Sequence, residues 1–194
     1  MLTTKKTIRR QFILDEAAKL FKEKGYGGTS MRDLAGNVGL EAASMYNYIK
    51  SKDEILELIC QRIAGIYISQ LAEIEQTPQA TYAAKVEALI RLHIRLMVEE
   101  GPAVSVANHD WKYLPEPQLT AFKQARKSYE QGFARLIEQG VAAGEFQALH
   151  PSVALFTILS AVRWVELWYR PGRELSAEEL ENDIVAMLLS GLAK

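Results

Sequence analysis

Residues 29–52, Thr-Ser-Met-Arg-Asp-Leu-Ala-Gly-Asn-Val-Gly-Leu-Glu-Ala-Ala-Ser-Met-Tyr-Asn-Tyr-Ile-Lys-Ser-Lys, constrain this chain more than any other stretch. They read as two short helices joined by a tight turn. Ser30 sits where an N-cap belongs, with Asp33 three residues on, a short-armed capping box. The first helix then runs from about Met31 to Asn37. Gly39 supplies the left-handed backbone that a sharp helix-to-helix turn needs. The second helix runs from about Ala42 to Ile49, small on one side, aromatic and hydroxylated on the other. Such a pair follows the helix-turn-helix plan, in which the second helix enters the DNA major groove.

The rest of the chain carries helical spacing and no alternating β pattern, so the fold class is all-α. Helix one, residues 5–24, places Ile13, Ala17, Leu20 and Phe21 on one stripe and stops at Gly25. Ser51 to Glu54 reads as a capping box that opens a fourth helix at Lys52, reaching about Ile74. A fifth spans about Ala80 to Glu99, and a short sixth follows the Gly101-Pro102 pair to about Lys112. The seventh runs from about Gln118 to Ala143. Pro151 suits the first turn of an eighth, which ends near Tyr169. That helix is apolar nearly all round, which calls for cover on most sides, yet it is shorter than the roughly 20 apolar residues of a membrane span. Ser176 to Glu179 is a further capping box and opens the ninth.

Charge is distributed unevenly. Residues 1–52 carry ten Lys and Arg against five Asp and Glu, a balance of +5; the remainder carries thirteen against nineteen, a balance of −6. A basic head on an acidic body fits a polyanion at one end only. The single cysteine, Cys60, excludes an internal disulfide and points to a reducing, cytoplasmic setting, and no signal peptide is evident. His93, His109 and His150 are scattered without metal-ligand spacing, and no glycine-rich phosphate loop follows a strand. An enzyme, a metal site and a cofactor are therefore not expected.

The block from Ile13 to Leu56 reads Ile-Leu-x-x-Ala-Ala-x-Leu-Phe-x-x-x-Gly-Tyr-x-x-Thr-Ser-x-x-Asp-Leu-Ala-x-x-Val-Gly, then Ser-Met-Tyr-x-Tyr-Ile-Lys-Ser-Lys-x-Glu-Ile-Leu. It resembles the TetR family of bacterial transcriptional regulators. Two positions depart from the family pattern: Glu41 stands where Ser or Thr usually caps the recognition helix, and Ile49 replaces the usual Phe. The run Trp168 to Gly172, followed by Leu175 to Glu179, resembles TetR-type regulators of fatty-acid and steroid catabolism that respond to acyl-coenzyme A thioesters.

The resemblance implies a nine-helix architecture with a DNA-binding domain over residues 1–50 and an effector-binding and dimerisation domain over residues 51–194. Thr29 and Ser30 would meet phosphate at the start of helix two. Ser44, Tyr46, Asn47 and Tyr48 would lie on the recognition helix, the tyrosines on phosphates and Asn47 on a base edge, since an amide pairs bidentately with adenine. Lys52 would meet a phosphate, and Lys5, Lys6, Arg9 and Arg10 would reach the backbone or minor groove. Candidate pocket liners are Tyr67, His93, Met97, Trp111, Tyr129, Phe133, Arg163, Trp164 and Trp168. Among them Arg163 is the most suggestive, because a cation in an apolar helix must find a partner, either Glu166 or an anionic ligand. Helices eight and nine would pair with their copies in a homodimer, giving a palindromic double-stranded DNA operator. Helix four would act as the lever between effector and head. No membrane partner is expected. Two other readings stand beside this ligand-released repressor: a drug or small-hydrophobe sensor controlling an efflux pump, and a dimeric helical scaffold without specific DNA binding.

Overall fold

The structure, a computed structural model, describes residues 5–192. Among these residues there are nine α-helices and no β-strand: α1 (Lys5–Lys24), α2 (Met31–Asn37), α3 (Ala42–Met45), α4 (Lys52–Glu75), α5 (Tyr82–Glu99), α6 (Gly101–His109), α7 (Gln118–Ala142), α8 (Pro151–Trp168) and α9 (Ala177–Ser190). A 3-10 turn over Trp111–Tyr113 follows α6. The chain packs as two compact units. One comprises the chain up to Gly65 together with Pro102–Gln124; the other comprises Ile66–Gly101 and the chain from Ala125 onward.

In the first unit, the expected stripe of α1 is buried, with Ile13, Ala17 and Phe21 almost fully enclosed. The Ser30 and Asp33 box forms in both directions and fixes the start of α2. At its other end Gly39 takes φ +67°. The Leu40 N–H then reaches the Ala35 carbonyl at 2.9 Å and the Gly39 N–H the Gly36 carbonyl at 3.2 Å. These two bonds satisfy the last carbonyls of α2 and set the sharp turn. Arg9 of α1 adds a third cap, donating to the Val38 carbonyl at 2.7 Å.

The second helix of the motif is shorter than its sequence spacing indicates. Regular helix ends at Met45, and the chain to Ile49 continues in tighter turns, with Asn47 N–H on the Ser44 carbonyl and Tyr48 N–H on the Met45 carbonyl. Three-residue spacing of this kind is common at a helix terminus, and one four-residue bond, from the Ile49 N–H to the Met45 carbonyl at 3.2 Å, spans the same turn. Glu41 occupies the N-cap position and makes no side-chain cap bond, so α3 starts on backbone bonds alone.

The start of α4 also differs from a reciprocal box. Ser51 accepts the Glu54 N–H at 3.1 Å, but the Glu54 carboxylate accepts the Lys50 N–H at 2.6 Å, one residue further back, and pairs with Arg10 at 2.6 Å. By length and composition α4 could cross a membrane. Its Ile55, Leu56, Ile59, Cys60 and Ile63 are buried, and 33% of its most apolar stretch is buried in all.

In the second unit, Thr81 caps α5, so that helix begins at Tyr82 rather than Ala80. Its buried face, from Val86 through Met97, packs on α8 and α9. Pro151 opens α8, capped by His150, and the Ser176 and Glu179 box opens α9. The apolar girth of α8 is not covered all round within the chain. Ala154, Leu155, Ile158, Leu159, Val162 and Val165 are buried, whereas Val153, Phe156, Trp164, Leu167 and Trp168 form an exposed apolar face.

Candidate nucleic-acid interface and ligand site

The outer face of the α2–α3 motif presents Tyr46, 54% exposed, and Asn47, also exposed; Ser44 and Tyr48 are half-buried. Met45 and Ile49 point inward and are fully buried, which fixes the rotation of the segment and turns Tyr46 and Asn47 outward. Thr29 is placed differently. It is 2% exposed, and its hydroxyl donates to the Gly25 carbonyl at 2.9 Å. Thr29 thus fastens the α1–α2 loop from inside. Ser30 is exposed and exchanges its bonds with Asp33, which holds that carboxyl below its usual range through the Ser30 hydroxyl.

Lys52 does not reach outward. Its ammonium donates to the Tyr26 carbonyl at 2.8 Å and to the Thr29 carbonyl at 2.9 Å, and lies 4.2 Å from the centroid of the Tyr26 ring. It therefore clamps the start of α4 onto the α1–α2 loop. Tyr26 is the hub of this junction. Its hydroxyl donates to Asp53, and its ring meets Phe21 edge-on at 5.2 Å and stacks on Tyr113 at 5.4 Å. Sequence reading missed Asp53 and Tyr113, since nothing local links residues so far apart along the chain.

A hydrogen bond to a charged group contributes about 1.5–3 kcal/mol net when buried, and less where, as at Lys52, the group is partly exposed. Lys52→Met is accordingly expected to lower stability by about 2 kcal/mol, read by urea unfolding. An unchanged midpoint would remove the clamp assignment.

In the second unit, four of the candidate ligand residues come together. Tyr67 of α4 stacks on His93 of α5 with centroids 4.5 Å apart, and Tyr129 of α7 closes the cluster at 5.3 Å from Tyr67. His93 Nε2 and the Tyr129 hydroxyl are hydrogen-bonded at 2.9 Å. Phe133 lies one turn along α7, 6.2 Å from Tyr129. Burial, helped by the nearby Arg163 cation, pushes His93 down to about 3, so its imidazole is neutral. Burial raises both tyrosine hydroxyls well above their usual range, so both keep their protons.

Arg163 of α8 lies within electrostatic range of Tyr67, Tyr129, Glu130 and a second cation, Arg126. Burial, then repulsion from Arg126, lowers its pKa. Among the described residues its guanidinium makes no hydrogen bond or ion pair, and neither does the Tyr67 hydroxyl make a hydrogen bond. The expected Glu166 pairing is therefore not formed. Two donors without acceptors next to a neutral imidazole make a site for an oxygen-rich or anionic group. The cations of Arg163 and Arg126 oppose a cationic occupant.

The other candidates fall elsewhere. Met97 is buried on α5, one turn beyond His93. Trp111 belongs to the first unit, where it packs on Phe122 at 6.2 Å. Trp164, 65% exposed, and Trp168, half exposed, belong to the uncovered face of α8. Arg126 and Glu130, which sequence reading passed over, pair at 3.7 Å. Their four-residue spacing is visible in the sequence, but their proximity to Arg163 is not. Cys60 is no nucleophile: burial pushes its thiol up to about 12.

An all-helical chain with a capped helix-turn-helix in one unit and a buried polar cluster in the other is a helix-turn-helix transcriptional regulator in class. The model of bacterial regulatory proteins of the tetR family matches residues 13–59, and that of the tetracyclin repressor-like C-terminal domain matches residues 79–192. The chain belongs to the TetR family. It is 24% identical over 194 residues to the HTH-type transcriptional repressor KstR2 of Mycolicibacterium smegmatis, covering 96% of this chain and 91% of that protein. The solved ketosteroid transcriptional regulator KstR2 of Mycobacterium tuberculosis superposes with a TM-score of 0.90 at 22% identity, covering 96% of this chain and 95% of that one. AibR, solved in complex with isovaleryl coenzyme A and operator DNA, gives a TM-score of 0.80 at 26% identity, covering 92% of this chain and 97% of that one. These relatives are transcriptional regulators, not enzymes.

Proposed function

We propose that this protein is a cytoplasmic repressor that binds a palindromic operator as a homodimer and is released by an acyl-coenzyme A thioester. The observation that carries the effector reading is Arg163: a half-buried guanidinium, beside the Tyr67 hydroxyl, that makes no hydrogen bond or ion pair among the described residues. An effector oxygen bound there supplies the missing acceptor, while an acyl group lies against Tyr67, Tyr129, Phe133 and Met97. The AibR complex with isovaleryl coenzyme A supports this ligand class over a cationic drug, as does the repulsion a cation would meet from Arg163 and Arg126.

The DNA-reading block is residues 1–50, and residues 51–194 hold effector and partner copy. Asn47 reads a base edge, Tyr46 and Tyr48 hold phosphates with Ser44 beside them, and Thr29, Ser30 and Lys52 set the position of α2 against the DNA backbone. The exposed apolar face of α8, with Met187 of α9, covers itself against its copy. Two copies then present two recognition segments about one helical turn of DNA apart. Effector binding acts through α4 and can shift the DNA equilibrium only by its differential affinity for the two states.

Selection from a random duplex library tests the reading. The expected product is an inverted repeat. Asn47→Ala should relax one position per half-site, costing about 1–3 kcal/mol at the preferred base. Recovery of no preferred sequence would favour the helical scaffold, and an unchanged motif with Asn47→Ala would reassign the base contact.

A further inference from the structure

The leading end of the recognition segment carries a carboxylate that the reading above does not use. Glu41 is exposed and occupies the N-cap of α3 in extended backbone, φ −65° and ψ 142°. Its side chain makes no cap bond, and among the described residues its carboxylate makes no hydrogen bond or ion pair. Ser or Thr usually stands at this position in the family, and either would close the cap bond that Glu41 leaves open. Ala42 and Ala43 follow and end at Cβ. Between residues 41 and 44 only Glu41 and Ser44 have a side chain that can hydrogen-bond, and Glu41 has the longer reach.

We infer that Glu41 is a specificity-determining residue whose carboxylate accepts from the N4 amino group of one cytosine in each half-site. The inference rests on the helix-turn-helix reading and adds to it a base contact separate from that of Asn47. In helix-turn-helix docking the N-terminal residues of the second helix meet base edges. A carboxylate only accepts, so it needs a donor. The major groove offers two, N4 of cytosine and N6 of adenine. Adenine sets its N7 acceptor beside that donor, and the acceptor repels a carboxylate; the cytosine edge presents the donor alone. Glu41 stands six residues before Asn47, about 9 Å along a helix, so the two side chains address different base pairs.

The same charge has a second effect. Away from its cytosine it faces phosphates, in a head whose balance of +5 otherwise draws the polyanion. Glu41 therefore weakens binding to arbitrary sequence while it strengthens binding to the right one. A capping role alone gives no such pair of opposite signs. The test repeats the duplex selection with the full-length protein and its Glu41→Gln and Glu41→Ser variants. One position per half-site should be cytosine for the native protein. It should shift to adenine with Glu41→Gln, since an amide pairs bidentately with adenine, and lose about tenfold in discrimination with Glu41→Ser. The position that answers to Asn47→Ala should not change in either variant. Binding to a fluorescein-labelled random-sequence duplex over a salt series reads the charge. Both variants should bind it about fivefold more tightly at low salt, with the difference closing as salt rises. Serine supplies a cap, so Glu41→Ser should melt no lower than the native protein, which separates the binding effect from a folding defect.

An inverted repeat whose every position is the same for the native protein and for Glu41→Gln would overturn the inference while leaving the helix-turn-helix reading intact. Variants that bind the random duplex no more tightly than the native protein at low salt would also overturn it. A native protein that selects no preferred sequence would overturn both readings together.

Discussion

Arg163→Met is expected to have two effects of opposite sign: it stabilises the ligand-free protein and removes its response to the effector. In the free protein Arg163 is a half-buried cation with no acceptor among the described residues, in electrostatic range of the cation of Arg126. Replacing such a charge by an apolar side chain of similar length is neutral or stabilising, here by about 1 kcal/mol because the group keeps some contact with water. On the proposed function, the same guanidinium is the donor that an effector oxygen meets in the complex. Its loss leaves that oxygen without its charged partner and should weaken effector binding at least about 30-fold, or about 2 kcal/mol. Thermal melting of the free variant and isothermal titration with an acyl-coenzyme A thioester read the two effects. DNA binding without effector should be unchanged. A variant that melts lower and still binds effector would make Arg163 a structural residue.

The second large effect concerns pH. His93 is held near 3 in the folded chain, against about 6.5 when exposed in the unfolded chain. Above pH 6.5 both states leave it neutral, and it does not alter the balance. As pH falls below 6.5 the unfolded state takes up a proton that the folded state refuses, so stability is lost down to about pH 3. The slope approaches about 1.4 kcal/mol per pH unit, which makes about 2 kcal/mol by pH 5. Carboxylates whose range is lowered by hydrogen bonds, such as Glu16 and Asp33, add their loss only at lower pH. His93→Gln keeps a hydrogen-bonding group beside the Tyr129 hydroxyl and removes the titration. Its stability should fall less than that of the native protein between pH 6.5 and 5, measured by urea unfolding at each pH. Parallel curves would show that His93 protonates in place.

Much of this fold is legible in the sequence because its helix ends are marked chemically. Ser30 with Asp33, Ser176 with Glu179, Pro151, and Gly25 and Gly39, both with positive φ, mark where helices start and stop. The stripe of Ile13, Ala17 and Phe21 fixes which face is buried. The end of α3 is not marked this way. Nothing in the sequence breaks the chain between Met45 and Ile49, so the change to tighter turns after Met45 is not legible there. Composition also misled for α8. An all-round apolar helix implies cover on all sides, but a single chain covers one face, and Trp164 and Trp168 stand outside it.

The sites divide in the same way. Tyr46 and Asn47 follow from helical phase, since buried neighbours on either side turn them outward. The inward role of Lys52 could not be read locally, because its acceptors are carbonyls of the Tyr26 to Thr29 loop. Tyr67, His93, Tyr129 and Arg163 come from four different helices. Each is conspicuous alone as a polar or aromatic group in an apolar stripe. Their meeting, and the absence of an acceptor for Arg163 among the described residues, is tertiary information.

The most direct measurement is thermal unfolding of the purified protein against a panel of free coenzyme A, acyl-coenzyme A thioesters of several lengths including a steroid-type one, free fatty acids and cationic dyes. A ligand of the folded state at 100 times its Kd adds about 2.7 kcal/mol, a plainly visible rise in Tm. Stabilisation by thioesters, absent with free coenzyme A and the free acid and lost in Arg163→Met, is the predicted result. A flat response to every thioester with a rise for the dyes would contradict it and assign the cluster to a small-hydrophobe sensor.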